Sequence, residues 1–365
     1  MINTLNLYLA RKYTKNCLGL LLVFLSIIYL FDTVELIRRA SKFDDVSLSM
    51  VLHMALLKLP EIGQITMPFV ILFGAIYTFW DLSKRSELVI LRAAGLSAWQ
   101  FLTPLIATAL LFGILQITAI NPLSAALLGR YEQLETQNLS HQKNLIALFE
   151  GGLWLKQKNQ EDGEGYIIIH AEKINRANWE LNNVIALYFN NEDSFMRRID
   201  AAQAILERNQ WAFKSATLNT GNSPALPVED YIIPTDLTRE DIEETFSSPE
   251  TISFWKLPGF IHTLETAGFD STKMRIHLQN LLAMPILFAA MVLLAAVVSL
   301  RPQRSSNTSA LILSGIFLGF VIFLGASFLK ALGISQQIPV ALAAWSPALI
   351  TLLLGASALF TLEDG

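Results

Sequence analysis

Residues 281–300 read LLAMPILFAAMVLLAAVVSL and carry no charge. A run this long and apolar matches the hydrocarbon core of a bilayer as one helix, whereas a strand or a short buried helix has no use for it. Five further stretches have the same character: about 17–36 (LGLLLVFLSIIYLF at 18–31), 50–80, 99–123, 310–329 and 340–362. The 365-residue chain is 53% hydrophobic and only 16% charged, and its mean hydropathy is +0.44. A soluble fold of that composition would leave large apolar patches in water. The reading is an integral membrane protein with six transmembrane helices.

The second stretch is the least regular. Pro60 removes a backbone donor and is expected to kink or delay the helix. Glu61 is costly in lipid and is expected at the outer interface, or facing protein or water. The first stretch is too long for a cleaved signal, lacks a small-residue cleavage site, and continues its helical pattern through Glu35, Arg38 and Arg39. It is expected to remain as a span.

Charge placement orients the spans. Arg11, Lys12 and Lys15 precede span one, Lys84, Arg85 and Arg92 lie between spans two and three, and Arg301 and Arg304 follow span four. The opposite loops hold Arg38, Arg39 and Lys42, and Lys330. The bias puts both termini, 81–98 and 301–308 in the cytoplasm and exports 124–271. Arg38 and Arg39 dissent from it.

In the exported segment apolar runs give way to short alternating ones. The stretch 147–155 (ALFEGGLWL) breaks at a glycine pair, and 165–171, 184–189, 195–206 and 210–218 read as strands. They predict a compact all-β domain over about 145–251 with helical links on either side, folded as a β-sandwich or jelly roll so that each strand buries a face. The domain plan is therefore 1–124 with three spans, 125–271 with the β domain and linkers, and 272–365 with three spans. Cys17, in span one, is the only cysteine, so the β domain must hold together without a disulfide. His141, His170, His262 and His277 are scattered, and no HExxH, GxSxG, CxxC or P-loop pattern occurs. His170 reads as an ordinary strand residue.

Between spans two and three, residues 81–97 read DLSKRSELVILRAAGLS. Ser86 is expected as the N-cap, Glu87 falls in the favoured first turn, Leu88, Leu91 and Ala94 form an apolar stripe, and Gly95 reads as a C-cap. Two roles suit a short amphipathic helix of about 84–95: lying flat on lipid, or docking in a groove on a soluble motor through Glu87 and Arg92.

The segment KRSELVILRAAGLS (84–97) closely resembles the coupling segment of the YjgP/YjgQ permease family, the transmembrane subunits of the lipopolysaccharide exporter of Gram-negative bacteria. LPEIGQITMPF (59–69), INPLS (120–124) and GLWLK (152–156) match as well, and the resemblance runs along almost the whole chain. The RSELV form and the GLW segment favour the LptG branch over its paralogue LptF.

The resemblance implies an ATP-binding-cassette exporter of the Gram-negative inner membrane, built from this chain, an LptF paralogue and two LptB ATPase subunits. It extracts lipopolysaccharide and passes it through periplasmic jelly rolls to LptC and the LptA bridge. ATP and Mg would be used by the partner ATPase, with no cofactor or metal on this chain and no catalytic residue in it. Glu87 would contact the ATPase, supported by Arg85, Leu88, Leu91 and Arg92, and force would pass to the two spans covalently joined to the helix. Arg38 and Arg39 would meet substrate phosphates or sugars, or else anchor phospholipid headgroups. Arg130 falls near a basic cluster of relatives, although Glu132 and Glu135 follow it. Glu61 stands where some relatives carry a basic residue, and would pair with Arg38 or Arg39 or approach substrate through a divalent cation. Spans one and five would form a lateral gate, with Leu30, Phe31, Phe317, Phe320 and Phe328 as apolar wall. Phe149, Trp154, Ile167 and Ile169 would line a groove in the β domain, or belong to its core. Two other classes stand beside the exporter: a non-transporting envelope scaffold, and a secondary transporter, which the lack of a charged relay at mid-depth disfavours.

Overall fold

The computed structural model describes residues 2–43, 46–139, 145–149, 152–161, 165–175, 180–207, 209–220, 224–235, 237, 248–266, 270–299 and 308–363. Arg301, Arg304, His141 and Gly151 lie outside them, as does the side chain of Phe149. The chain divides into a helical unit, Met1–Leu139 with Glu250–Trp255 and Arg275–Gly365, and a sheet unit, Ser140–Pro249 with Lys256–Met274.

Among the described residues six helices are long and apolar enough to cross a membrane. They are α1 (Ile2–Ala40), α2 (Leu48–Lys84), α4 (Ala98–Leu115) with its continuation α5 (Asn121–Asn138), α7 (Thr272–Ser299), α8 (Thr308–Ile334) and α9 (Val340–Glu363); the short α3 (Glu87–Ala93) joins α2 to α4. The Ser47 hydroxyl caps α2 by accepting from the Met50 N–H, and Ser97 and Gln100 cap α4 reciprocally. Pro60 does not delay α2, which starts twelve positions earlier and runs through both Pro60 and Pro68.

The main core joins α1, α2, α4, α7 and α9 around Tyr13, Ile71, Phe79, Phe101, Leu105, Phe288 and Leu359. Helix α7 lies at its centre because small residues let neighbours approach. A Cβ on Gly113 of α4 would stand 2.5 Å from Pro285 Cα, and one on Gly355 of α9 2.9 Å from Leu293 Cβ. Helix α1, with 39 residues, spans about 58 Å at 1.5 Å per residue, well beyond a hydrocarbon core of about 30 Å. Its far end packs on α2 and α5 in a second, smaller core of Leu36, Val51, Met54, Leu128 and Tyr131.

The third span does not end near 123. A π-helical segment, Gln116–Ile120, carries α4 directly into α5, and the Asn121 N–H closes it on the Gln116 carbonyl. Pro122 has no N–H to offer, so the Thr118 carbonyl is left open, and the Trp255 indole N–H donates to it at 3.3 Å.

In the sheet unit seven strands form one antiparallel meander: β1 (Leu145–Phe149), β2 (Gly152–Lys158), β3 (Tyr166–Asn175), β4 (Glu180–Phe189), β5 (Phe195–Glu207), β6 (Gln210–Asn219) and β7 (Leu226–Pro234). The expected jelly-roll order is not found among the described strands, each of which pairs with its neighbour in sequence. The sheet obtains its buried face by rolling up. In a flat sheet, strands five steps apart sit about 24 Å from each other. Yet Gln157 Nε2 on β2 donates to the Pro234 carbonyl on β7 at 2.9 Å, and the Thr235 hydroxyl returns to Gln157 Oε1 at 2.8 Å. Leu155, Ile169, Ala186 and Ile199 run in register across the inner face, and Tyr188, Trp211 and Phe213 fill it. Burial pushes the Tyr188 phenol above its ordinary range. Its hydroxyl donates to Glu161, which also accepts from Arg197 and Tyr231. A further helix, α6 (Leu257–Thr266), follows the strands in sequence.

Candidate functional site

Polar residues within helices apolar enough to cross a membrane are expensive and need a reason. Here they converge. A cavity of about 400 Å³ opens among α2, the α4–α5 junction, α7, α8 and α9. Glu61, Gln64, Asn121, Glu250, His277, Asn280 and Lys330 line it, together with Phe69, Met284, Leu287, Met291 and Phe323. The order of these residues along their helices separates the two sets. Glu61, His277 and Lys330 lie toward the ends of α2, α7 and α8 that face α5, while Phe69, Met291 and Gly319 lie deeper. From His277 to Met291 the helical rise is about 21 Å. The cavity thus has a polar mouth and an apolar depth, the profile of an amphiphile.

Two sequence motifs build the mouth. Asn121, from INPLS, donates through Nδ2 to Gln64 Oε1 of LPEIGQITMPF at 3.3 Å, and its Oδ1 accepts the Phe254 N–H at 2.7 Å. Lys330 approaches Glu250 at 3.9 Å. Glu61 pairs with neither arginine proposed for it. Arg38 bonds its helical neighbour Glu35 at 2.6 Å, and Arg39 bonds Glu135 of α5. Nearby, Lys58 bonds Asp32 at 3.0 Å and covers the Tyr131 ring. Arg130 is exposed. Leu30, Phe31, Phe317, Phe320 and Phe328 do not line the cavity; all are exposed on the flanks of α1 and α8.

The opposite end of the unit holds α3. Ser86 does not cap it: its backbone is left-handed, φ 57°, and its side chain makes no capping bond. The C-terminal expectation holds, since Gly95 at φ 80° lets the Gly95 and Leu96 N–H groups bond the carbonyls of Arg92 and Leu91. Leu88 and Leu91 turn inward and pack on the transmembrane core, so they support α3 from behind. The exposed apolar pair is Val89 and Ile90, at 66% and 65%, beside exposed Arg85 and Arg92. Glu87 reaches back to α1. The Tyr8 hydroxyl donates to its Oε2 at 3.0 Å, and Lys12 Nζ lies at 3.4 Å. Lys12 also bonds Asp81 of α2 at 2.9 Å. Asp81 in turn accepts from Arg85 Nε at 3.1 Å, which holds the Arg85 guanidinium above its ordinary value.

In the sheet unit Ile167 and Ile169 are fully buried in the rolled core, whereas Trp154 faces the other way, its ring tilted against His170 with centroids 4.3 Å apart. They do not share one surface.

The family model described as lipopolysaccharide export system permease LptF/LptG matches residues 7–361. The chain belongs to the LptF/LptG family. It is 21% identical over 350 residues to the lipopolysaccharide export system permease protein LptG of Escherichia coli strain K12, covering 94% of each chain. To the LptG protein of Haemophilus influenzae strain KW20 it is 22% identical over 358 residues, covering 96% of each. In the helical unit the sequence pointed to the α3 segment, the basic C-terminal end of α1 and Glu61 at the cavity mouth, but not to Gln64, Gln116, Asn121, Glu250 and Lys330. A signal was available only for Gln64 and Asn121, the polar residues inside LPEIGQITMPF and INPLS, which the fold brings together.

Proposed function

We propose that this chain is the LptG-type transmembrane subunit of an ATP-driven exporter that extracts lipopolysaccharide from the bacterial inner membrane. The observation that carries the substrate class is the cavity, polar at its mouth and apolar in depth, in a chain whose residues 7–361 match the permease family. An acylated, phosphorylated sugar needs both surfaces in that order along the membrane normal. The end bearing α3 faces the cytoplasm and the sheet unit lies in the periplasm, as the basic residues Arg11, Lys12, Lys15, Lys84, Arg85 and Arg92 favour.

The exporter pairs this chain with an LptF paralogue and two LptB subunits, which bind ATP and Mg and dock on α3. Lipopolysaccharide then passes to LptC and LptA. Val89, Ile90 and Arg92 offer the docking surface, with Arg85 and Glu87 at its edge. Arg38, Arg39 and Arg130 meet phosphates at the outer face. Leu30, Phe31, Phe317 and Phe320 form an apolar wall completed by the paralogue, which accounts for their exposure in a single chain.

Purification from the native membrane in mild detergent, with mass spectrometry of proteins and lipids, tests the reading. Recovery of a paralogous permease, a separate ATPase and lipopolysaccharide is the expected result. Recovery without ATPase or glycolipid, under conditions that keep other envelope complexes whole, would replace it with a scaffold role.

A further inference from the structure

The docking helix α3 is covalently joined to α2 and α4, yet its one carboxylate points to neither. Glu87 is bonded by Tyr8 and Lys12, both on α1. Resting on the reading that an ATPase docks at α3, we infer that Lys12 is a positioning residue that holds Glu87 and delivers displacement of α3 to the first span.

Three observations support this. First, α3 has little else to hold it. It is seven residues long, contains no fully buried side chain, and is bracketed by left-handed residues at Ser86 and Gly95. Leu88 and Leu91 give it an apolar footing, and the Glu87 contacts fix its direction.

Second, the Lys12 ammonium is shared unequally. Its 2.9 Å contact with Asp81 is short and its side chain is 14% exposed, whereas Glu87 lies at 3.4 Å and is 28% exposed. Lys12 and Arg85 balance Asp81 and Glu87. Lys12 is therefore anchored on α2 through Asp81, while its contact with Glu87, beside the Tyr8 bond, joins α3 to α1.

Third, α1 carries a displacement onward from this point. The following turns are locked to α2 by Tyr13 to the Ile71 carbonyl at 3.1 Å and Asn16 to Thr78 at 2.8 Å, and a Cβ on Gly74 would fall 2.5 Å from Cys17 Sγ. Beyond them the apolar window of α1 is only 11% buried, and its far end packs on α2 and α5, so a movement of the near end is passed along the helix to that second core. Lys12 thus stands where α3 meets the N-terminal end of a span that is little buried along its apolar window.

The test uses the whole exporter in proteoliposomes and measures both ATP hydrolysis and lipopolysaccharide released. Lys12→Ala should leave assembly intact and hydrolysis within about twofold, while lipid released per ATP falls by about fivefold, the scale on which breaking a link in a coupled path acts. Lys12→Arg should restore most of the ratio. The exchange Lys12→Glu with Asp81→Lys restores the α1–α2 pair but sets a second carboxylate against Glu87, so it should recover thermal stability without recovering the ratio. An unchanged ratio in Lys12→Ala, or an exchange that recovers ratio and stability together, would overturn the inference. Failure of the unaltered chain to assemble with an ATPase would overturn the docking reading instead.

Discussion

Span four and spans one and five are equally convincing as membrane helices, with hydropathies of 2.8, 2.3 and 2.1, and yet they live in opposite surroundings. Of span four's apolar window 67% is buried inside the chain; of spans one and five, 11% each. Apolarity reports the solvent a helix can tolerate, not its neighbours. In a bilayer lipid tails satisfy a leucine as well as another helix does, so association depends on how closely backbones approach. Residue size is therefore the informative property. Ala283, Ala289, Ala290, Ala295 and Ala296 line α7 and are buried, whereas α1 and α8 expose Leu22, Leu30, Phe31, Phe317 and Phe320.

The comparison breaks most sharply at Gly113. Gly113→Leu inserts a branched side chain where a Cβ already meets Pro285 Cα at 2.5 Å. Backbone cannot yield as a side-chain tip does, so the α4–α7 contact must open, at a cost of about 3 kcal/mol. Thermal unfolding of the detergent-solubilised chain, followed by tryptophan fluorescence, should move to clearly lower temperature. An unchanged transition would mean that α7 is not packed through small residues.

Asn121 comes next. Asn121→Leu keeps the branched shape of the side chain but removes the acceptor of the Phe254 N–H and the partner of Gln64. Stranding two half-buried groups costs about 2 kcal/mol, visible in the same unfolding measurement, and loosens the segment that places Glu250 at the cavity mouth. At the C-terminal end of α1, Arg39→Ala should cost about 1 kcal/mol, since the pair with Glu135 is partly open to water. If Arg39 serves substrate, the exchange Arg39→Glu with Glu135→Arg recovers that stability but not lipid release. Recovery of both would make the arginine purely structural.

Six spans and a β insert were legible because hydropathy and alternation are local. Which helix lies inside was not, since α1, α2 and α7 are apolar all round and offer no face to read. The same blindness misdirected the α3 stripe. Spacing put Leu88 and Leu91 on one side, but only the fold says that side is inward. Ser86 failed as a cap because the chain turns left-handed there. The rolled meander was unreadable in strand patterns that serve a jelly roll equally well, and its closure joins residues far apart in the chain, Gln157 with Pro234 and Glu161 with Tyr231. The cavity mouth fell between two motifs whose polar residues looked incidental until Asn121 met Gln64.

The smallest expected effect tests the other half of the comparison. Phe31→Ala and Phe317→Ala remove large side chains that are 74% and 67% exposed. Exposed truncations of this kind shift stability by no more than about 0.5 kcal/mol, so unfolding of the isolated chain should not distinguish the variants from the parent. That indifference gives the next measurement its meaning. When the same variants are purified from the native membrane, loss of co-purifying paralogue or glycolipid would show that the bare flanks of spans one and five are covered in the assembly. Full recovery of both would leave those flanks facing lipid alone, and the apolar wall of the transport path would have to be sought around Phe69, Met291 and Phe323 in the cavity.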